Sequence, residues 1–375
     1  MRYQSTLFAQ LLEAVPRGWF EREVQRHHSG RRKRELTAWG HFVTMVMAQL
    51  SGARSLRELE RMVERHPGVL AHLGLGGVRR TTLADANASR PAGLFEAVAG
   101  RLCRALSRGK GGREALRLID ATRIFAGTPV AAWAKGAIKL HLSFDPMAER
   151  PVWFAVTSER VNDISAAKTM PIEPGATYVF DKGYYDFAFW AALDAQSCRF
   201  VTRLKKNSPV RVIQEREAKG ENIVADRIVR LSERLSSTRR NPLAIQLRLV
   251  IVKIEGGREI TLLSNDLGAT ATEIAALYKA RWQVELFFKW LKQNLRIGHF
   301  LGTSRNAVVI QIMAALIAYL LLRLGAHRHD AAISLQAFAR LMPATLLVRR
   351  PIALLLKPPQ HPPPPNPVQL EIAYA

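Results

Sequence analysis

The hydrophobic pattern of this 375-residue chain changes period several times, and each change marks a different kind of element. Over residues 1–106 apolar positions recur at helical spacing. FAQLLEAV opens one helix, the basic stretch RHHSGRRKRE at 26–35 interrupts it, and a periodic run from Thr37 through Leu50 ends at Ser51-Gly52. Ser55 followed by Glu58 has the Ser-x-x-Glu form of a capping box for LRELERMVERH, and Thr81 through Asn87 predicts another helix, with Arg79 and Arg80 just ahead of it. SRGKGGR at 107–113 reads as a linker. Alternation then replaces helical periodicity: LRLIDATRIF, AIKLHLSFD and PVWFAVTSE predict three successive strands in an antiparallel meander. A helix at 163–170, a strand YVF ending at Asp181 with a turn at Lys182-Gly183, a helix FAFWAALDAQ and a strand CRFVTRLKK complete a β-β-β-α-β-α-β order. Such an order predicts a mixed sheet covered by helices, with ligands at the strand ends.

Residues 207–262 break the pattern again. VRVIQERE, AIQLRLVIVKIE and EITLLSN read as strands of an inserted antiparallel unit, separated by charged segments such as SERLSSTRRNP. The stretch 278–292, YKARWQVELFFKWLK, predicts a single helix. On it Tyr278, Arg281, Glu285 and Lys292 lie within roughly 60° of one another around the axis, beside an apolar stripe of Leu277, Val284, Phe288, Leu291 and Leu295. Such a helix aims a glutamate and its basic neighbours along the edge of a core, although Arg281 and Glu285 also have the spacing of an ordinary surface pair. Ala307 through Leu322 is apolar except for Gln311 and Tyr319; at 16 residues it is short for a membrane span and reads as a buried core helix. An amphipathic helix near 331–341 and an extended proline-rich tail, PPQHPPPPNP, finish the chain.

Charge adds a partner. The 55 Lys and Arg exceed the 31 Asp and Glu by 24, and the excess is spread along the whole length, which suits a phosphate backbone. An arginine-rich proteome would produce the same excess. Short helices joined by tight turns, with Arg near their N-termini, suit either insertion of one helix into a DNA groove or packing of a bundle on its neighbour; Arg32, Lys33, Arg34, Arg79 and Arg80 are the candidates for phosphate contact. The two cysteines, Cys103 and Cys198, have no metal-ligand spacing and imply no disulfide framework. The N-terminus lacks a signal-peptide pattern, so the chain reads as cytoplasmic.

Two carboxylates sit in apolar surroundings, Asp120 in LRLID and Asp181 in YVFD, where an unpaired charge costs several kcal/mol unless a cation compensates it. With Glu285 they form a set of hard oxygen donors, which selects Mg²⁺ or Mn²⁺ over zinc; two such ions would support in-line phosphoryl transfer. His141 reads as a core residue on its strand and Asp163 as a helix cap. Trp282 and Trp290 invite a base-stacking role, with Trp282 nearer the site by helical angle, and core packing is the ordinary role for both.

The combination resembles the bacterial insertion-sequence transposases of the DDE type, specifically the insertion-sequence-four family. Its signature Tyr-x2-Arg-x3-Glu-x6-Lys stands here as Tyr278, Arg281, Glu285 and Lys292, with further likeness at Asp120 in LRLIDATRI, at Asp181 in YVFDKGYYD and from KLHLSFD through SERVNDI. The resemblance implies an α/β fold: a ribonuclease-H-like mixed-sheet core with a β-rich insertion, preceded by an all-α N-terminal domain. The expected division is a helical DNA-binding domain at 1–106, a catalytic core at 114–206 and 263–325, an inserted β-rich subdomain at 207–262, and a C-terminal helix and tail at 326–375. The resemblance further implies cutting at terminal inverted repeats, joining of 3′ hydroxyl ends to target DNA, and catalysis by Asp120, Asp181 and Glu285 with two divalent ions. Tyr278, Arg281 and Lys292 would contact double-stranded DNA, a homodimer would hold two ends in a nucleoid-associated complex, and neither membrane nor organic cofactor is expected. A nuclease that cuts without joining and a catalytically silent DNA-binding remnant are the alternatives.

Overall fold

The N-terminal helices start and stop where local chemistry directs. The computed structural model describes residues 5–27, 36–107, 115–125, 137–233, 238, 240–295 and 297–357. Arg32, Lys33, Arg34, most of the expected linker and the proline-rich tail lie outside them. The first helices are α1 (Leu7–Leu12), α2 (Arg17–Arg26), α3 (Ala38–Ser51), α4 (Leu56–Arg65), the short α5 (Pro67–Leu70), α6 (Arg80–Ser89) and α7 (Gly93–Ser107). The Thr37 hydroxyl accepts the Gly40 N–H at 2.9 Å to cap α3, and Gly52 ends that helix at a φ of 72°, a left-handed conformation that glycine adopts without penalty. Ser55 caps α4 by accepting the Glu58 N–H at 3.1 Å, while the Glu58 carboxylate reaches back to the Arg54 N–H at 2.7 Å, one residue earlier than a reciprocal box requires. Arg80 is the first residue of α6, not a flanking one, and Arg79 is its cap position.

Strands β1 (Leu116–Phe125), β2 (Ala137–Asp145) and β3 (Arg150–Ser158) form the expected antiparallel meander. After α8 (Asp163–Ala167), β4 (Thr177–Phe180) pairs parallel with β1; after α9 (Phe187–Ala195), β5 (Arg199–Arg203) pairs parallel with β4. Helix α8 is shorter than 163–170, because the Thr169 and Met170 N–H groups bond three residues back and the chain tightens into turns before Pro171. Its cap position is Asn162; Asp163, expected as the cap, is its first residue.

The segment between β5 and the next helix contributes β6 (Val210–Arg216), β7 (Ile223–Leu231), β8 (Gln246–Lys253) and β9 (Glu259–Ser264). They continue the same sheet, in the order β3-β2-β1-β4-β5-β9-β8-β7-β6, with β9 antiparallel to β5. Closing the edge of β5 removes a row of unpaired backbone groups. Strand β7 escapes the sequence pattern because Asp226, Arg227 and Arg230 interrupt its apolar alternation. Asp226 is nevertheless buried, and its carboxylate accepts two hydrogen bonds of 2.5 Å from Arg248 on β8.

The chain then returns through α10 (Ala271–Ala280), α11 (Trp282–Asn294), α12 (Arg305–Arg328), α13 (Leu335–Thr345) and the short α14 (Ile352–Leu355). The single helix expected over 278–292 is two helices, broken at Arg281. There the Arg281 N–H bonds to the Tyr278 carbonyl and the Val284 N–H to the Arg281 carbonyl, each at 3.1 Å over three residues, so one turn tightens between α10 and α11. Helix α13 begins later than 331 because the Ser334 hydroxyl caps it at the Ala337 N–H, 3.2 Å away.

Helix α12, 24 residues with a mean hydropathy of 2.3 in its most apolar window and 89% of that window buried, is the core helix the pattern predicted. It packs against α3, α6, α7 and α13. Its two polar interior residues are satisfied: the Gln311 amide donates to the His299 carbonyl at 2.7 Å and accepts the Leu301 N–H at 2.8 Å, and the Tyr319 hydroxyl donates to the Glu149 carbonyl at 2.6 Å. Side chains alternate across the sheet, so Leu118, Val179 and Val201 join the core beneath α11, α12 and the N-terminal helices, whereas Ile119, Phe180 and Phe200 join a second core with Trp190 and Leu193 of α9.

His41, buried in α3 with Nε2 2.7 Å from the Asn87 side-chain oxygen, has its pKa lowered by burial to about 4. Because the unfolded imidazole takes up a proton near pH 6.5, the stability tied to neutral His41 is complete above that pH and is lost as the pH falls toward 4. The wild type should lose about 2 kcal/mol more than His41→Gln between pH 7.5 and 5, read from urea unfolding midpoints.

Candidate active site

The parallel register of β1 and β4 brings two of the acids side by side. Ile119 pairs with Phe180, so Asp120 and Asp181 are the next residues on adjacent strands. The alternation that sends Leu118 and Val179 toward α11 and α12 sends these two carboxylates to the same face. Asp120 Oδ1 accepts the Ala121 N–H at 2.8 Å. Helix α11 packs on β1 and carries Glu285 to the cluster.

The guanidinium of Arg281 sits in the middle. It donates from Nη1 to Asp120 Oδ2 at 3.0 Å and from Nη2 to Glu285 Oε1 at 2.6 Å, so one cation joins the sheet to the helix. The Tyr278 hydroxyl donates to Asp181 Oδ1 at 3.1 Å. The tightened turn at Arg281 makes this possible, since it lets α10 present Tyr278 to β4 while α11 presents Glu285 to β1. Burial pushes the Asp120 carboxyl up to about 6, partly offset by Arg281; burial, reinforced by the Asp181 charge, pushes the Tyr278 hydroxyl up to about 12.

The sequence-predicted residues divide into two groups. Asp120, Asp181, Glu285, Arg281 and Tyr278 converge; Lys292 does not contact them and lines a separate groove along α11. Arg79 and Arg80 are exposed, and Arg80 lines a recess with Arg54 and Arg57. Trp282, for which core packing was the ordinary expectation, is 57% exposed, because it begins α11 on the side facing away from the sheet. Trp290 does pack in the core, edge-on to Tyr319 with ring centroids 5.0 Å apart.

Tyr184 is a residue that periodicity did not single out. It lies in the 3₁₀ turn Lys182–Tyr184 that follows Asp181, and its buried hydroxyl has no hydrogen-bond partner among the described residues. Burial, then the charges of Asp120 and Asp163, hold that hydroxyl well above its ordinary pKa. Behind it, Asp163 pairs with Lys139 Nζ at 2.9 Å, and the buried His141 bonds the Thr157 hydroxyl at 2.8 Å, in the core position expected of it. The signal for Tyr184 was its place in DKGYY, within reach of whatever Asp181 serves.

Comparison with known proteins then decides the family. The profile "Transposase DDE domain" matches residues 111–321, more than half of the chain. The chain belongs to the DDE transposases. Consistent with this, it is 41% identical over 297 residues to "Putative transposase y4zB" of Sinorhizobium fredii, covering 76% of this chain and 81% of that one. It is 30% identical over 217 residues to "Probable transposase for insertion sequence element IS5377" of Geobacillus stearothermophilus, covering 56% of each. A profile described as a domain of unknown function matches residues 3–76. The DDE transposase domain is ribonuclease-H-like, and the meander with two parallel strands beside it is that mixed sheet. Domains of this kind work with divalent metal ions. Among the described residues no three acidic, histidine or cysteine side chains cluster closely enough to hold one ion as they stand. Asp120 and Glu285 instead converge on the Arg281 guanidinium, so their carboxylates already face a cation, and hard oxygen donors of this kind suit a divalent ion.

Two predictions follow from the geometry alone. Arg281→Ala should destabilise the DNA-free protein by about 2 kcal/mol at pH 7.5, because it leaves two half-buried carboxylates uncompensated. The double variant with Asp120→Asn should recover most of that loss in the same urea titration. Tyr184→Phe should raise stability by about 1 kcal/mol by removing an unsatisfied buried hydroxyl, yet slow cleavage of DNA in a gel assay.

Proposed function

We propose that this transposase cuts an insertion sequence at its terminal inverted repeats and joins the freed 3′ hydroxyl ends to target DNA, with Asp120, Asp181 and Glu285 as its catalytic carboxylates. One observation carries the reading: Arg281 joins the carboxylates of Asp120 on β1 and Glu285 on α11, while Asp181 at the end of β4, level with Asp120, accepts from Tyr278 of the same signature. A structural ion pair has no use for a third carboxylate beside it that only a neutral hydroxyl meets, since the surplus negative charge is costly unless something else neutralises it.

Mg²⁺ or Mn²⁺, two ions held by Asp120, Asp181 and Glu285, would neutralise that charge, activate the attacking oxygen and stabilise the leaving one. The protein's own residues then have distinct tasks. Arg281, released from Asp120 and Glu285, offers a planar fork of donors that matches a phosphate, one turn from Glu285. Tyr278 holds Asp181 in position and borders the DNA. The Tyr184 hydroxyl supplies a donor toward the reacting region from the opposite side of the sheet edge. Burial of Asp120 excludes water and strengthens each of these interactions. Lys292 contacts the DNA farther along α11, and Trp282, exposed at the head of that helix, is free to stack on an unstacked base.

The proposed division of labour follows the sequence boundaries: 1–106 recognises the ends, with Arg79 and Arg80 on phosphates; 114–206 with 263–325 performs the chemistry; 207–262 is the inserted β-rich subdomain; 326–375 is the C-terminal helix and tail. Two copies would pair the ends, in the bacterial cytoplasm on nucleoid DNA.

The test is cleavage of a labelled duplex carrying the inverted repeat that flanks the gene, with Mg²⁺, by the wild type and by Glu285→Ala. The variant should cut about a thousandfold more slowly or worse while its gel-shift binding persists, reflecting several kcal/mol of lost transition-state stabilisation. Binding without cleavage by the wild type would overturn the enzymatic reading in favour of a silent DNA-binding remnant. Cleavage without joining of the cut end to a second duplex would reduce the protein to a nuclease.

A further inference from the structure

A groove of ≈ 890 Å³ opens along α11 one residue beyond Glu285, walled by the C-terminal end of α3 and by α13. Its lining brings together chemistries that seldom share a surface. Lys289, Lys292 and Arg340 supply cations; among the described residues none of them pairs with a carboxylate and no Asp or Glu lines the groove. Gln293 of α11 and Gln336 of α13 line it with amide groups that both donate and accept. Leu286, 48% exposed, forms an apolar patch at the end nearest the catalytic cluster. In the wall, the buried Trp290 Nε1–H has no hydrogen-bond partner among the described residues, a donor awaiting an acceptor.

Resting on the transposase reading, we infer that this groove between α3, α11 and α13 receives the unpaired terminal nucleotides of one strand at the cut transposon end. A duplex presents phosphates outward and keeps its Watson–Crick edges covered, so it would use the cations and waste the amides and the apolar patch. A frayed strand uses all three: cations along its backbone, amides on exposed base edges, and apolar surface against base faces. The groove opens at Leu286, the residue after Glu285, and a strand leaving the scissile phosphate would reach it by following α11 past Lys289 and Lys292. The inference also gives α13, which touches none of the acids, a part in holding the substrate through Arg340.

The experiment compares binding of two pre-cut inverted-repeat ends in EDTA, one blunt and one with a short single-stranded extension, over a range of salt concentrations. Wild type should bind the extended end more tightly. Arg340→Ala, an exposed substitution that leaves the fold intact, should abolish that preference, lowering the slope of log K against log salt by about 1 on the extended end and leaving the blunt end unchanged. Cys103 and Cys198 are both buried, so Gln336→Cys can be labelled selectively with a photocrosslinker; its adduct should fall on the extension. An equal loss on both ends would mean that the groove takes duplex phosphates, and an unchanged preference, or adducts only within the duplex, would mean that the strand runs elsewhere; each overturns the inference. Wild-type cleavage of the repeat duplex is scored separately. A protein that cuts but fails these measurements loses only the groove assignment, whereas one that neither binds the repeat nor cuts it loses the transposase reading as well.

Discussion

Everything at the centre of this protein depends on how three carboxylates are kept together without flying apart. Asp120, Asp181 and Glu285 come from two strands and a helix, and their mutual repulsion in a half-buried setting opposes that assembly. Arg281 resolves the conflict with two charge-assisted hydrogen bonds, 3.0 Å to the strand carboxylate and 2.6 Å to the helical one. The same contacts dock α11 on β1. An arginine serves better than a lysine here because its planar fork reaches two acceptors at once. The arrangement is also provisional in a chemical sense: a guanidinium that holds the acids through hydrogen bonds can yield to a more concentrated charge.

The surrounding architecture explains why the cluster is rigid enough to matter. Parallel pairing of β1 with β4 sets Asp120 and Asp181 level, and α12, buried among α3, α6, α7 and α13, gives α11 a firm layer to rest on. The N-terminal helices therefore share one apolar core with the sheet face that bears the acids. On the other face, Phe180, Trp190 and Phe200 pack as an aromatic cluster behind the strand ends. Substrate-facing chemistry at the top of the sheet is thus supported from both sides. The extra strands β6 to β9 extend the sheet away from the acids and close the edge of β5.

The chain was most legible where one physical signal dominated. Alternation located β1 to β5, a Thr37 cap and a Gly52 stop bounded α3, and the apolar run at 307–322 marked a helix that proved to be interior. Legibility failed where a tertiary contact outweighed local pattern. Strand β7 carries Asp226 and Arg230 in an otherwise apolar run, and only the Arg248 guanidinium on the neighbouring strand makes a buried aspartate affordable. The break at Arg281 was invisible for the opposite reason: every residue from Tyr278 to Lys292 tolerates a helix, and the turn tightens because its side chains are drawn to two different strands.

The sequence by itself determined most of the elements and the spacing of Tyr278, Arg281, Glu285 and Lys292, because caps, periodicity and residue chemistry act over a few positions. Only the tertiary structure decided which of those side chains meet. It drew Arg281 to Asp120, 161 residues away, and Tyr278 to Asp181, 97 residues away. It also sent Lys292 into a neighbouring groove, left Trp282 facing outward and buried the Tyr184 hydroxyl, within the electrostatic influence of Asp120, without a partner among the described residues. Such outcomes depend on strand register and on the direction of one tightened turn, and both are set by the packing of the whole sheet.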